Sequence, residues 1–301
     1  MRPALGGVLA PVTTPFDASG EVATHALTAN LRAHLSDGVD GIVIAGSTGE
    51  AALLEEAERR VLLHHARDVV PTDRLLVMGT GAESTRSCMS RCRMAAEEGA
   101  DYVLVVAPHY YGGSMTAEAL RAHYRAVADA SPVPVILYNI PKYAHFALPA
   151  ELVAELAAHE NVAGIKDSSG DLALLEAYLR AQGDRFTVLT GSGTTLLDAL
   201  RRGARGGILA VALFATSLVR ELLAAQRAGS AEAAALQERL LPLAAEIVGA
   251  LGVPGVKAAM DARGLAGGAP RAPLLPLGAA GHQRVRALLT AALPADAAPV
   301  I

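Results

Sequence analysis

The chain has 301 residues, enough for one large α/β domain or two smaller ones, and its 52% of hydrophobic residues can form a sizeable core. Its formal net charge is −4 and it has no basic block, so neither nucleic acid nor an anionic membrane is expected as a partner. Residues 1–7 lack the apolar core of a signal peptide, and the uncharged run 206–219 is too short to span a bilayer, which predicts a cytoplasmic protein.

Eight short apolar segments predict β-strands, and alanine- and leucine-rich stretches with charges at helical spacing separate most of them. The predicted strands are 7–13, 41–45, 75–79, 102–107, 133–138, 162–166, 186–190 and 207–212, with helical patterns such as 24–36, 53–69 and 84–98 between them. This alternation predicts an α/β fold, a (β/α)8 TIM barrel. A doubly wound open sheet is the alternative, but no Gly-x-Gly-x-x-Gly motif follows the first strand.

The chain after residue 215 has no strand pattern. Helical patterns cover 218–228, 231–251, 256–262 and 282–293, and the breaks between them fall at Gly229, Pro254, Gly264 and 267–276. We therefore expect residues 1–215 to form the barrel that carries the active site. Residues 216–301 are expected to be a helical extension packed on the barrel rather than an independent domain.

The two cysteines, Cys88 and Cys92, are four residues apart on a predicted helix. They have the spacing of half a metal site, but no pair of histidines or cysteines lies near them in the sequence to complete it. We interpret them as helix-packing side chains in a reducing compartment and predict no metal.

Active sites of (β/α)8 barrels lie at the C-terminal ends of the strands, and this rule selects candidate residues before any resemblance is considered. The strand ends deliver Thr13 and Thr14, residues 46–50, residues 109–111, Tyr138 and Asn139, Lys166, and residues 191–193.

Lys166 ends the sixth predicted strand, where burial of an ammonium group is costly. The chain has only three lysines, Lys142, Lys166 and Lys257, and arginine carries the other positive charges. A lysine at this position indicates amine chemistry that a guanidinium group cannot perform, such as attack on a ketone carbonyl. The alternative is an ion pair with Asp167 or another carboxylate.

Two further strand ends have polar groups suited to chemistry. Residues 46–50 (Gly-Ser-Thr-Gly-Glu) are predicted to open a helix. Their backbone N–H groups, including that of Gly49, and their hydroxyl groups can then bind an anion such as a carboxylate. An ordinary helix N-cap is the alternative. Tyr138 ends the strand next to that of Lys166 and is placed to relay protons, or else it is a core tyrosine with a satisfied hydroxyl.

Three motifs in this order resemble the dihydrodipicolinate synthase/N-acetylneuraminate lyase family of class I, pyruvate-dependent aldolases. They are residues 46–50 (Gly-Ser-Thr-Gly-Glu), 138–141 (Tyr-Asn-Ile-Pro) and 164–167 (Gly-Ile-Lys-Asp). The resemblance extends from residues 6–8 through 206–208 and into the C-terminal helices. It implies a Schiff-base lyase that needs no cofactor.

The resemblance also implies roles for individual residues. Lys166 forms the Schiff base with a 2-oxo acid, and Tyr138 is the general acid/base. Ser47 and Thr48 hold the carboxylate of pyruvate, and a hydroxyl of the pair joins the proton relay. Gly191 and Ile208 line the pocket with backbone groups. Tyr110 reaches into the site of a neighbouring subunit, within a homotetramer built from two dimers.

Departures from the family pattern bear on the substrate. Dihydrodipicolinate synthases have an arginine, two residues after the motif proline, that grips the carboxylate of the semialdehyde, and here that position is Tyr143, preceded by Lys142. Lys142 either substitutes for it as a point charge or is a solvated loop lysine. The residues that bind the feedback inhibitor lysine and the acidic pair of sialic acid lyases are also unmatched, with Glu56, Arg59, Glu83, Ser192 and Gly193 at those positions.

Residues 166–171, 252–257, 267–268 and 271–274 instead resemble the 4-hydroxy-2-oxoglutarate and 2-keto-3-deoxy acid aldolases. We therefore predict a lyase that cleaves or condenses a 4-hydroxy-2-oxo acid, with pyruvate and an aldehyde as partners. The alternatives within the family are 4-hydroxy-tetrahydrodipicolinate (dihydrodipicolinate) synthase and a dehydratase of 2-keto-3-deoxy sugar acids. From other classes, glycines 191, 193, 206 and 207 are compatible with a phosphosugar isomerase, and a non-catalytic 2-oxo acid sensor is the third possibility.

Overall fold

The computed structural model describes residues 4–294, which form a closed barrel of eight strands surrounded by helices. The strands are β1 (Gly7–Pro11), β2 (Gly41–Ile44), β3 (Leu75–Gly79), β4 (Tyr102–Val106), β5 (Val135–Asn139), β6 (Val162–Asp167), β7 (Thr187–Thr190) and β8 (Gly206–Ile208). Each strand is parallel to the next, and β8 closes the barrel by pairing with β1. The predicted (β/α)8 TIM barrel is confirmed.

Helices follow the strands and pack around the barrel. They are α1 (Thr24–Ser36), α2 (Glu56–Val69), α3 (Thr85–Glu97), α4 (Ala117–Ala130), α5 (Pro141–Ala144), α6 (Ala150–Ala157), α7 (Leu172–Leu179), α8 (Leu196–Arg201), α9 (Ala212–Arg227), α10 (Glu232–Pro242), α11 (Gly252–Ala262) and α12 (Ala279–Ala292). Both cysteines lie on α3 and are buried, which agrees with helix packing.

The strand side chains divide between two apolar layers. One layer, between the strands and the helices, includes Leu137 and Ile165. The other is formed largely by strand residues and includes Ile136, Tyr138 and Leu189, so it fills the barrel. Because side chains alternate along a strand, the outward position of Ile165 directs the next residue of β6 into the barrel.

The ends of some predicted elements were wrong. The last predicted strand, 207–212, ends at Ile208, and Ala212 already begins α9. An apolar run has no period that separates a buried strand from the first turn of a buried helix. Pro254, predicted to break a helix, lies in the first turn of α11, where a backbone N–H has no partner within the helix and proline is tolerated.

The helix predicted at 231–251 is not regular. It is α10 followed by a π-helical segment, Leu243–Ala250, which we call the π segment. Pro242 immediately precedes this segment, and a proline removes one hydrogen bond of the helix and crowds the preceding turn. The π segment and α11 therefore approach the barrel along a path that an unbroken helix would not follow.

The predicted boundary between residues 1–215 and 216–301 falls within α9, at a kink where Ala215 has φ −140° and ψ 40°. α9 packs against β1 and α8, and α10 packs against α9. The division into barrel and extension stays a prediction, and its residues 1–3 and 295–301 lie outside the described residues. Within residues 4–294, no helix combines the length and the apolar composition needed to cross a membrane.

Candidate active site

Lys166 lies inside the mouth of the barrel. Its Cα pairs with Tyr138 on β5 and Leu189 on β7, and only 5% of the residue is exposed. The Nζ atom lies 4.1 Å from the centre of the Tyr138 ring. Among the described residues, no carboxylate oxygen lies within 4.0 Å of Nζ, so the geometry does not support the alternative of an ion pair.

Asp167, which the alternative interpretation named as a possible ion-pair partner of Lys166, instead binds neutral groups. Asn139 Nδ2 donates to its Oδ1 at 2.7 Å, and Ser169 Oγ donates to its Oδ2 at 2.8 Å. Burial raises the pKa of Asp167 above its usual value, although these hydrogen bonds act in the opposite direction. Asp167 and Asn139 therefore fix the loop after β6 to the end of β5, a structural role that sequence reasoning missed.

Tyr138 is buried beside the lysine, and its hydroxyl accepts a hydrogen bond from Ser47 Oγ at 3.5 Å. Burial alone would raise the pKa of Tyr138. The positive charge of Lys166 and hydrogen bonds that include Ser47 outweigh it, so the pKa lies below its ordinary value. A phenol with a lowered pKa gives up its proton more readily, as a proton relay requires.

Residues 46–50 form a turn that leads into a short 3-10 helix, and they do not open the long helix that was predicted to follow them. The backbone N–H of Glu50 donates to Ser47 O at 3.2 Å, and Glu50 has a left-handed φ of 59°. A short 3-10 helix, Ala51–Leu53, follows, and α2 begins only at Glu56. The N-cap interpretation of this turn is therefore wrong, because the capping box of α2 is formed by Glu55 and Glu58.

Within this turn the predicted binding residues separate. Ser47 and Thr48 line the central cavity. Gly49 is buried away from it, and its carbonyl accepts a hydrogen bond from Thr14 Oγ1 at 2.7 Å. A Cβ atom at Gly49 would lie 2.9 Å from the carbonyl oxygen of Val12, so this glycine serves close packing of the turn.

Gly191 gives the lysine its space. A Cβ atom at this position would lie 2.8 Å from Lys166 Cε and would overlap Ser168 Oγ at 1.9 Å. The backbone N–H of Gly191 donates to Asp167 O at 2.6 Å, which holds β7 close to the end of β6. No other residue type fits between these strands without displacing the lysine side chain.

The cavity at the C-terminal end of the barrel has a volume of about 270 Å³. It brings together eight of the ten predicted site residues, which are Ser47, Thr48, Tyr138, Lys142, Tyr143, Lys166, Gly191 and Ile208. Gly49 is buried within its turn and does not line the cavity.

One wall of the cavity comes from residues 216–301, which were expected to be a helical extension, whereas the active site was expected on residues 1–215. The π segment and α11 contribute Ala244, Val248, Gly249, Gly252, Val253 and Val256 to the lining. π-helical turns are often found at functional sites. The sequence signal that could have found this wall is the cluster of glycines at 249, 252 and 255 inside an otherwise helical pattern.

Tyr110 lies outside the cavity and is 78% exposed. Its ring packs edge-to-face on Tyr111 with 5.0 Å between the ring centres. The backbone N–H groups of His109 and Tyr110 both donate to Glu83 Oε2, at 3.0 and 2.9 Å. The expectation that Tyr110 enters the site of a neighbouring subunit stays a prediction.

Comparison with known proteins agrees with this geometry. The family model described as the dihydrodipicolinate synthetase family matches residues 4–292. The 4-hydroxy-tetrahydrodipicolinate synthase of Exiguobacterium sp. is 34% identical over 280 residues, which cover 93% of this chain and 95% of that protein.

Solved structures give the same result. Dihydrodipicolinate synthase DapA-2 from Bacillus anthracis superposes with a TM-score of 0.93 at 29% identity and covers 97% of this chain and 99% of its own. YagE from E. coli K12, solved in complex with pyruvate, superposes with a TM-score of 0.89 at 30% identity and covers 95% of this chain and 97% of its own. This chain has a lysine and a tyrosine that face each other at the mouth of its barrel, and the family model matches nearly its whole length. The chain therefore belongs to the dihydrodipicolinate synthetase family of class I, pyruvate-dependent lyases.

Proposed function

We propose that Lys166 forms a Schiff base with a 2-oxo acid and that the enzyme cleaves or forms the bond between carbons three and four of a 4-hydroxy-2-oxo acid. The observation that carries this proposal is the position of Lys166. Its amine is nearly buried at the end of the barrel where catalysis occurs, it touches Tyr138, and it has no carboxylate partner among residues 4–294.

The steps follow from the chemistry of an amine and a ketone. The uncharged amine of Lys166 adds to carbon two, and loss of water gives an iminium ion. Tyr138 takes the proton of the 4-hydroxyl, the bond between carbons three and four breaks, and an aldehyde leaves. The iminium ion receives the electron pair and becomes an enamine. Protonation of carbon three and addition of water then release pyruvate and restore the amine; condensation is the reverse sequence.

Ser47 connects the two ends of this chemistry. Its hydroxyl donates to Tyr138, and its turn presents Ser47 and Thr48 to the cavity beside Lys166. We assign the carboxylate of pyruvate to these two residues, because hydroxyls on a tight turn are suited to an anion. The Ser47 hydroxyl is also placed to carry the Tyr138 proton toward solvent.

The aldehyde has two candidates. The names of the relatives support aspartate semialdehyde, the substrate of a 4-hydroxy-tetrahydrodipicolinate synthase, and they support this alternative more directly than our first prediction. The presence of Tyr143 and Lys142 where that enzyme class has its arginine favours the other candidate, a 4-hydroxy-2-oxoglutarate or 2-keto-3-deoxy acid aldolase. A third candidate activity, a dehydratase that uses the same lysine, would release water and no aldehyde.

We also propose a cytoplasmic homotetramer in which Tyr110 completes the site of a neighbouring subunit. The support is that Tyr110 is far more exposed than the other tyrosine of the predicted catalytic set, at 78% against 4% for Tyr138. Exposed aromatic side chains of this size are typical of protein interfaces.

Borohydride reduction in the presence of pyruvate, followed by peptide mass mapping, tests the Schiff base. We expect the added mass on the peptide that contains Lys166, and none on Lys166→Met. A modified Lys142 or Lys257 would instead relocate the active site. Inhibition by inorganic phosphate without any pyruvate adduct would favour the phosphosugar isomerase.

Turnover then separates the candidates that share the Schiff base. Relative rates are measured with aspartate semialdehyde plus pyruvate, with 4-hydroxy-2-oxoglutarate and with 2-keto-3-deoxygluconate. Reaction of the semialdehyde alone would select the synthase, and loss of water without release of an aldehyde would select the dehydratase. A pyruvate adduct without turnover of any of the three would select the sensor.

A further inference from the structure

The ladder between β5 and β6 has an irregular register below Lys166 and Tyr138. These two residues pair with each other, but the register shifts by one residue near the start of the ladder, where the pairing skips Ala163 of β6. Such a β-bulge re-aims the side chains that follow it. In a ladder without the bulge, Ile165 would lie opposite Tyr138, and Lys166 would be displaced from it by one residue. The position of Lys166 therefore depends on which of two registers the strands adopt.

Asn139 and Asp167 form the next pair of this ladder, one residue beyond Tyr138 and Lys166. Both are buried, and Asn139 Nδ2 donates to Asp167 Oδ1 at 2.7 Å. Without the bulge, Lys166 would lie opposite Asn139, and this bond between directly opposed side chains would be lost. The backbone offers the same donors and acceptors at every residue, so it does not distinguish the two registers. The side-chain bond between Asn139 and Asp167 does.

The remaining polar atoms of this pair are also held. Asn139 Oδ1 accepts the backbone N–H of Leu148 at 2.9 Å. Asp167 Oδ1 accepts the backbone N–H of Ser169 at 3.1 Å, and Asp167 Oδ2 accepts the Ser169 hydroxyl at 2.8 Å. A buried polar group that loses its partner is costly, so these bonds restrict the amide and the carboxylate to one arrangement.

The pair lies next to the cavity but not in its wall. Neither Asn139 nor Asp167 is among the described residues that line the cavity, whereas Tyr138 and Lys166 both line it. One peptide bond joins each member of the pair to its neighbour in the cavity. A shift of β5 against β6 at the pair therefore moves the Tyr138 ring relative to the amine that lies 4.1 Å from its centre. A displacement of about 1 Å in an active site can cost about 10²-fold in rate.

We propose that Asn139 and Asp167 are positioning residues for catalysis: their hydrogen bond fixes the register of β5 and β6 at the barrel mouth and so sets the separation of Tyr138 and Lys166. The proposal rests on the proposed function, in which Lys166 forms the Schiff base and Tyr138 moves the proton. It gives the pair a role in turnover in addition to its role in holding the loop after β6.

The competing role is that of a loop anchor alone, because Asp167 also binds Ser169. Loss of an anchor would reduce the number of folded molecules but would not slow those that remain folded. The test therefore counts competent sites. Borohydride trapping with saturating pyruvate gives the fraction of sites that form the adduct, and the turnover of the fastest of the three substrates above is divided by that fraction.

The variants exchange the two members of the pair. Asn139→Asp places two carboxylates opposite each other, and Asn139→Asp/Asp167→Asn restores one amide and one carboxylate in the reverse order. Asn139→Ala, which removes the bond without adding a charge, gives the same comparison with the wild type if Asn139→Asp does not fold. Asn161→Ala is the matched control, since Asn161 lies at the opposite end of β6 and its Nδ2 donates to Ala128 O and Ser131 O at 2.9 and 2.8 Å.

We expect Asn139→Asp to lower turnover per trapped site by about 10–100-fold, because the proton carrier and the amine are no longer held at their working separation. The loss should fall on kcat, while the pyruvate concentration that gives half-maximal trapping changes little, since Ser47, Thr48 and the amine remain. The exchange variant should recover most of the loss. Asn161→Ala should lower the melting temperature without a change in turnover per site.

The outcomes separate this proposal from the proposed function. A wild-type enzyme that forms no pyruvate adduct, or that turns over none of the three substrates, contradicts the proposed function. If Asn139→Asp and Asn139→Ala lose trapped sites but each remaining site keeps its turnover, the pair is only a loop anchor and the positioning role is overturned. An exchange variant that is no faster than Asn139→Asp, or an equal loss per site in Asn161→Ala, also overturns it.

Discussion

Lys166 and Lys257 are both buried lysines near the C-terminal end of the barrel, yet their surroundings are opposite. Lys257 is fully buried on α11, and its Nζ atom lies 2.6 Å from Glu50 Oε1. It also donates to the carbonyl oxygens of Thr14 and Ala269 at 2.8 and 2.9 Å. Lys166 has an aromatic ring, hydroxyl groups and open cavity around its amine. The two lysines are similarly buried, and they differ in that only Lys257 has a carboxylate partner among the described residues.

The partners of Lys257 also explain its use. Glu50 ends the turn of residues 46–50, and its other oxygen accepts the backbone N–H of Arg271 at 2.7 Å. Burial lowers the pKa of Lys257, while its contact with Glu50 acts in the opposite direction. The pair thus joins the C-terminal part of the chain to the turn that presents Ser47 and Thr48 to the cavity. Lys257 therefore holds the turn in position, whereas the role that we propose for Lys166 is chemical.

Exchange of each lysine for methionine should separate the two roles, and the largest effect is expected on catalysis. Lys166→Met removes the nucleophile, so turnover of a 4-hydroxy-2-oxo acid should fall by about 10⁵-fold or more. Its melting temperature should stay the same or rise, since a buried amine without a charged partner is replaced by an apolar side chain. Steady-state kinetics and thermal unfolding measure both. A variant that retains turnover would show that another amine forms the Schiff base.

Lys257→Met should instead lower stability and leave the chemistry at Lys166 in place. Removal of one partner leaves the Glu50 carboxylate buried without its cation, which costs about 3–5 kcal/mol of folding free energy. Urea unfolding measures the loss, and pyruvate trapping at low temperature should still label Lys166. The double variant Lys257→Met/Glu50→Gln should recover part of the loss, because it no longer buries an unpaired charge. Equal losses in the single and double variants would contradict a coupled pair.

Tyr138→Phe tests the hydroxyl that faces Lys166. Without a proton acceptor for the 4-hydroxyl, turnover should fall by about 10²–10⁴-fold. The adduct with pyruvate should still form, because the amine remains and the ring is preserved. Tyr178→Phe is the matched control, since Tyr178 is a buried tyrosine whose hydroxyl donates to Leu148 O, and Leu148 does not line the cavity. A similar loss of turnover in both variants would point to a structural effect.

Much of this arrangement could be predicted from the sequence because it depends on local patterns. Strand and helix periods gave the barrel, and the rule on strand ends then selected Lys166, Tyr138 and the 46–50 turn. The alternation of side chains along β6 decides whether Lys166 or Asp167 faces the cavity. The sequence alone does not show which of the two faces inward, because the inner and outer apolar layers are defined only in the closed barrel. The partners of Glu50 lie more than 200 residues away in the sequence, so no local pattern indicates them.

The C-terminal wall shows the same limit. A helical pattern indicates that 231–251 is apolar on one face, but it does not reveal that the chain becomes π-helical after Pro242. The contact of Lys142 with Gly249 joins residues 107 positions apart and depends on that change of path. The C-terminal wall is therefore the part of the cavity that sequence patterns define least.

His34 extends the comparison to a buried titratable group without a hydrogen-bond partner in the described part of the chain. Neither ring nitrogen has a hydrogen-bond partner within residues 4–294, and burial lowers the pKa of His34 to about 4. His34 takes up a proton near pH 6.5 in the unfolded chain but only near pH 4 in the folded chain. The contribution of neutral His34 to the free energy of unfolding is therefore fully present above pH 6.5, and about 3 kcal/mol of it is lost as the pH falls to 4. Urea unfolding at pH 7 and pH 4.5 should show a smaller difference for His34→Leu. An equal pH dependence in this variant and the wild type would assign the loss to other groups.

The smallest effect is expected at Glu83, which lies outside the cavity and holds the loop of Tyr110. Glu83 Oε2 accepts the backbone N–H groups of His109 and Tyr110, and its Oε1 lies 3.2 Å from His109 Nδ1. If Tyr110 acts in a neighbouring site, Glu83→Ala should lower turnover by about 10-fold or less, because the loop loses two hydrogen bonds. The same substitution in a Tyr110→Phe background should then have little further effect, since both changes act on one group. Independent, multiplicative losses would mean that Glu83 acts on catalysis through another residue.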